Sequence, residues 1–142
     1  MPNLIRGFSR LLVRGVLLVL ALAVVAAGVL VFADWRARQA DEVRIVEVPF
    51  MKPGSDAFAT GRIVFIQGDS ADDPDLLAHE LVHVCQWEEQ GITFLWDYTA
   101  EYTENLVETG DANEAYLELS FEQEARLGEV DCDLGSYVVV LP

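Results

Sequence analysis

A chain of 142 residues has room for one ordinary domain. Its 9 basic and 24 acidic side chains give a net charge of −15, and the two signs are unevenly spread. Residues 1–52 hold 7 basic and 4 acidic groups, net +3, whereas residues 53–142 hold 2 basic and 20 acidic groups, net −18. A domain this acidic repels nucleic acid and anionic lipid and concentrates cations, which excludes nucleic acid as a partner. Most of these carboxylates are expected to do no more than form a solvated surface.

Residues 15–33 are an unbroken apolar run of 19 residues, long enough as a helix to cross roughly 30 Å of hydrocarbon. A cleaved signal peptide is the rival reading. Its apolar core is usually about 7–15 residues, and Val31-Phe32-Ala33 makes a poor cleavage site. A retained transmembrane helix is therefore expected, with residues 1–14 as a cytoplasmic segment. Arg6, Arg10 and Arg14 precede the run without an acidic neighbour, which favours an extracytoplasmic C-terminal domain. Arg36, Arg38 and Arg44 on the far side work against that orientation.

Residues 34–42 read as a polar connector, either a helical extension or a stalk. The β-branched stretch 43–49 reads as a strand and residues 52–56 as a turn. A second strand follows over 62–66, ending at Gly68, and then a polar loop over 69–72.

Asp73 is a suitable helix N-cap, Pro74 fits the first helical position, and Asp75 suits the positive end of the helix dipole. Gly91 is the matching stop. Between them Leu77, Leu81 and Val84 recur at i, i+4 and i+7 as a core stripe, and His79, His83 and Gln86 form a polar one. His79, Glu80 and His83 spell H-E-x-x-H with the only two histidines of the chain. Imidazoles four residues apart share a helix face and can both reach one Zn²⁺ at about 2.0–2.1 Å. In hydrolases of this pattern the glutamate takes a proton from water rather than binding the metal, which makes Glu80 the candidate catalytic residue. The bland alternative is a core helix carrying stray polar groups. Burying two imidazoles and a carboxylate beside Leu77 and Leu81 without a purpose is costly, so the motif is preferred.

Thr93 is the expected cap of a second helix over 94–108, stopped near Gly110. Its aromatics Phe94, Trp96, Tyr98 and Tyr102 are expected mostly in the core. Asp111 with Glu114 is a capping-box pattern for a third helix, and Ser120 with Gln123 repeats it, so a break and restart is expected at Ser120. Residues 137–141 read as a final strand. Cys85 and Cys132 either form one disulfide, if the domain is exported, or stay as buried free thiols. Cys85 lies two residues past His83 and so points away from the metal stripe. No repeat, low-complexity segment or phosphate-binding glycine loop is present.

A catalytic zinc site needs a third protein ligand and an open position. No histidine remains, and Glu122 is the best-placed carboxylate, just after a helix start. Glu124 is the alternative, and an ordinary solvated helix face is the bland reading of both. Tyr98, Tyr102 and Tyr116 are candidate oxyanion stabilisers.

Leu77 to Gln86 with Trp87, followed by Gly91, Phe94-Leu95, Tyr98 and Glu101-Tyr102, resembles small bacterial zincin-like proteins. Those are related to a metallopeptidase-type domain also called the contractile injection system core domain. Glu114-Ala115-Tyr116 and Phe121-Glu122-x-Glu124-Ala125 resemble that group's A-Y…P-F-E-x-E-A segment. The resemblance spans residues 61–126. It implies a gluzincin-like site in which His79, His83 and Glu122 bind zinc and Glu80 is the base. Ser120 replaces the group's usual proline, and Cys85 occupies a position that is often charged.

The expected fold is α+β: an N-terminal transmembrane helix (15–33), a connector (34–42), and a zincin-like domain (43–142) of a short antiparallel sheet and three to four helices. The expected function is a membrane-anchored zinc metallopeptidase acting on a peptide or protein. The rival is a non-catalytic module in which zinc holds a scaffold together.

Overall fold

The computed structural model describes residues 2–51, 55–70 and 72–140, so the turn expected over 52–56 lies mostly outside the described residues. The charge-free run 15–33 lies within one helix, α1 (Pro2–Ala40), which also takes up the connector as a helical extension. The stretch Val13–Ala40 is long and apolar enough to cross a membrane. Val16, Leu20, Val24 and Val31 along it are all exposed. Residues 1–36 form one unit and residues 37–142 a second.

The second unit is a mixed α+β domain. Its sheet comprises β1 (Glu42–Val48), β2 (Ala57–Thr60), β3 (Ile63–Gln67) and β4 (Ser136–Val140), in the order β2-β3-β1-β4. β1 is parallel to both β3 and β4, while only β2 and β3 are antiparallel. The expected antiparallel sheet is therefore corrected to a mixed one. Residues 49–62 are long enough for the chain to reverse twice, and β2 is the return strand between β1 and β3. Gly61, at φ 55°, turns β2 into β3. β4 reaches β1 only after every helix of the unit, a crossover of the kind parallel strands require. Gly135, at φ 65°, immediately precedes that last strand, where a Cβ would collide with the Asp41 carbonyl oxygen. Only glycine fits there.

α2 (Pro74–Gln90) lies on the sheet. Asp73 caps it as expected, accepting from the N–H groups of Asp75 and Leu76, and the Gly91 N–H closes it on the Trp87 carbonyl. Leu81, Val84 and Cys85 of α2 pack on Val43, Ile45, Ala57, Val64 and Ile66 of the sheet, with Leu134 completing the core. Each of the valines, leucines and isoleucines among them contributes about 1.5–3 kcal/mol through burial. Cys85 and Cys132 form a disulfide that fastens the segment before β4 to α2.

The remaining helices are α3 (Thr93–Thr109), α4 (Ala112–Leu117) and α5 (Ser120–Ala125). Asp111 caps α4 by accepting from the Asn113 and Glu114 N–H groups. Thr93 does not cap α3; its hydroxyl donates to the Gln90 carbonyl, 2.8 Å away, and Ile92 holds the cap position. Ser120 likewise is the first residue of α5 rather than its cap. Its N–H and hydroxyl both donate to the Glu101 carboxylate of α3, at 2.8 Å each. Trp87, Phe94, Tyr98 and Phe121 form a ring cluster joining α2, α3 and α5. Trp96, expected in the core, is 73% exposed.

Candidate metal centre

The packing of Leu81, Val84 and Cys85 on the sheet fixes the rotation of α2, and its polar stripe then faces α5. His79 and His83 stand one turn apart with ring centroids 4.9 Å from each other. Glu122, in the first turn of α5, is 3% exposed and inserts between them. His79 Nε2 lies 3.3 Å from Glu122 Oε2, and His83 Nε2 lies 3.3 Å from Glu122 Oε1. The three ligand atoms fall within 4.8 Å of one another. Tetrahedral coordination at zinc bond lengths sets neighbouring ligand atoms about 3.3–3.4 Å apart, so the donor set and its spacing fit a metal ion.

The surroundings suit a cation. Tyr98 donates its hydroxyl to Glu122 Oε1 at 2.8 Å, and Tyr116 donates to Oε2 at 2.6 Å. Burial works to raise the Glu122 pKa, but hydrogen bonds from His79, His83 and Tyr116 outweigh it and hold the carboxyl well below the usual range. Burial works to lower the His83 pKa, yet its bonds to Glu122 and Gln86 leave it raised. Both shifts show a pocket that keeps a buried carboxylate and favours positive charge beside it, supplied by a proton or by a metal.

Glu80 is 4% exposed, and its Oε2 is buried with no hydrogen-bond partner. Burial raises its pKa, against the opposing pull of His83 and His79. His79 and Glu80 line two clefts. One, of about 870 Å³, has a polar wall that includes Asp56, Asp75 and Arg126. The other, of about 270 Å³, is lined by Phe58, Trp87, Phe94 and Leu95 as well as His83 and Glu122. β2, one of the sheet's two edge strands, borders both through Ala57. β3 packs under α2 through Val64 and Ile66 but lies inside the sheet, so its backbone is paired on both sides.

The structure thus brings together His79, His83, Glu122 and Glu80. It does not bring in Glu124, the alternative ligand, whose Oε2 accepts from Gln86 Nε2 at 2.7 Å instead. Of the three candidate tyrosines, Tyr98 and Tyr116 sit on Glu122, and Tyr102 lines neither cleft. Sequence reasoning missed what Gln86 does: its Oε1 meets His83 Nδ1 at 2.8 Å. The available signal was its place on the histidine stripe, three residues past His83.

Residues 48–91 match the family model described as the eCIS core domain. The similarity to that domain runs from the end of β1 to the residue after α2, a stretch that includes His79, Glu80 and His83 but not Glu122. No curated protein and no solved structure matches the chain.

Proposed function

We propose that the chain is a membrane-anchored, zinc-dependent peptidase with a zincin-like site. The observation that carries this reading is the buried, unpartnered Glu80 carboxylate beside a His79–His83–Glu122 donor set that opens onto two clefts. Bound zinc would supply Lewis acidity, polarising a carbonyl and making water a better acid. The chain's own residues do the rest. His79, His83 and Glu122 hold the ion, with Tyr98 and Tyr116 fixing the carboxylate. Glu80, relieved of other hydrogen bonds at Oε2, accepts the proton of the attacking water, and its raised pKa suits a base that must later return that proton. The outer edge of β2 offers an extended peptide backbone groups along the clefts, the Ala57 carbonyl there accepting from the Ser55 hydroxyl at 3.1 Å.

The anchor rests on α1, whose apolar surface is far larger than a soluble protein exposes without a partner. The Cys85–Cys132 disulfide supports an extracytoplasmic second unit, since disulfides persist in oxidising compartments.

A non-catalytic reading also has an observation in its favour. The three donors tie α2 to α5, and a purely structural ion would do the same. Glu80→Gln separates the two. It keeps shape and leaves the donors untouched, so zinc content and thermal stability should stay at wild-type levels. Peptidase activity of the full chain in detergent should fall by roughly 10²–10⁴-fold. Retention of full biological function by Glu80→Gln, with loss in His83→Ala, would make the metal structural and the peptidase reading wrong.

A further inference from the structure

Gln86 is 4% exposed, so the polar atoms of its amide need partners inside the protein. Its Nε2 donates to the Phe121 carbonyl at 3.1 Å and to Glu124 Oε2 at 2.7 Å. A carbonyl and a carboxylate only accept, which settles the end of the amide that is nitrogen. The other end, Oε1, is also an acceptor and lies 2.8 Å from His83 Nδ1. Nδ1 must then carry a hydrogen. In the neutral ring this leaves the lone pair on Nε2, the atom that faces Glu122. Turning the amide over would set its oxygen against both the Phe121 carbonyl and the Glu124 carboxylate.

We infer that Gln86 is a positioning residue for the metal centre, holding His83 in the tautomer and orientation that present Nε2 to the ion, and that Glu124 and the Phe121 carbonyl hold Gln86. The inference rests on the zinc reading. Phe121 and Glu124 flank Glu122 on α5, so one amide aligns the ligand on α5 with the ligand on α2. Hydrogen-bond partners on the far nitrogen orient ligating histidines, and losing one typically weakens metal binding 10–100-fold.

The test uses the full chain in detergent, with ¹⁵N-labelled histidine, titrated with Zn²⁺ against a chelator. Zinc-loaded wild type should show a slowly exchanging Nδ1–H resonance from His83. Gln86→Leu should lose that resonance and bind zinc roughly 10–100-fold more weakly. If Gln86→Leu does not fold, wild type alone decides the matter: zinc-loaded wild type that carries its His83 hydrogen on Nε2, with the ion on Nδ1, overturns the inference. A Gln86→Leu protein that keeps both wild-type affinity and the resonance overturns it as well, while leaving the zinc reading intact. Absence of zinc binding by wild type would instead sink the zinc reading, and this inference with it.

Discussion

Each carboxylate oxygen of Glu122 accepts one tyrosine hydroxyl and faces one imidazole. That arrangement changes what the tyrosines are expected to do. A tyrosine serving an oxyanion would cost roughly 10²–10³-fold in kcat when its hydroxyl is removed, with metal affinity unchanged. Tyr98→Phe and Tyr116→Phe should instead weaken zinc affinity by up to roughly 10-fold each, because they orient a ligand, whereas Tyr102→Phe should change nothing. Chelator-competition titrations of the three variants check this. The proton on His83 gives a second prediction. Its raised pKa means that a proton held more tightly than usual competes with the ion, so zinc affinity should fall as pH is lowered, beginning above the ordinary histidine range near about 6.5. An affinity that is flat between about pH 8 and about pH 6 would contradict the assignment of His83 as a ligand. At this scale the sequence was informative where spacing does the work. Two histidines four apart can share an ion wherever the helix lies. Glu122 and Glu124, by contrast, differ by two positions on a short helix. Only the packing of α5 on α2 turns the first towards the imidazoles and the second towards Gln86.

α2 was the most legible element, since Asp73, Pro74 and Gly91 are local chemical signals that act through their own backbone. α5 was less so, because the group that holds its start is Glu101, 19 residues away on α3. Glu101→Ala should therefore loosen α5 by about 1 kcal/mol, as for loss of an N-cap, and weaken zinc binding through Glu122 without touching the ion. Thermal melts of loaded and zinc-free protein would show it as a larger loss in the loaded form. β2 was invisible for a related reason. Ala57-Phe58-Ala59-Thr60 is only four residues long, and its two alanines offset the strand preference of Phe58 and Thr60, so it carries no readable alternation and pairs because β3 offers an edge. Missing it made β1 and β3 look like neighbours in a hairpin, when the return strand between them makes them parallel. Cys85 and Cys132 stand 47 residues apart in sequence, and closing a loop of that length stabilises by about 4 kcal/mol in the chain-entropy account. Cys132→Ser should lower stability by up to about that amount, measured by denaturant unfolding.

For the whole molecule, the charge division is a property of the sequence alone and persists when drawn at the boundary of the two units: residues 1–36 hold 4 basic and 1 acidic group, net +3, and residues 37–142 hold 5 basic and 23 acidic groups, net −18. Arg6, Arg10 and Arg14 precede the apolar run, and the prediction they carry under the positive-inside rule is an N-terminus in the cytoplasm. A reporter active only outside the cytoplasm, fused after Pro142, should be active. Activity of a cytoplasm-only reporter there would reverse the topology and leave the Cys85–Cys132 bond without an oxidising compartment. The acidic surface concentrates cations, but it does not choose among them; that choice falls to two imidazoles and a carboxylate, a donor set that suits zinc over magnesium or calcium. The measurement that bears most directly on the account is the zinc content of the full chain purified in detergent, for wild type and for His83→Ala. The account predicts one zinc per chain in wild type and none retained by His83→Ala. A wild-type protein without metal, or a His83→Ala protein with undiminished zinc, would contradict it.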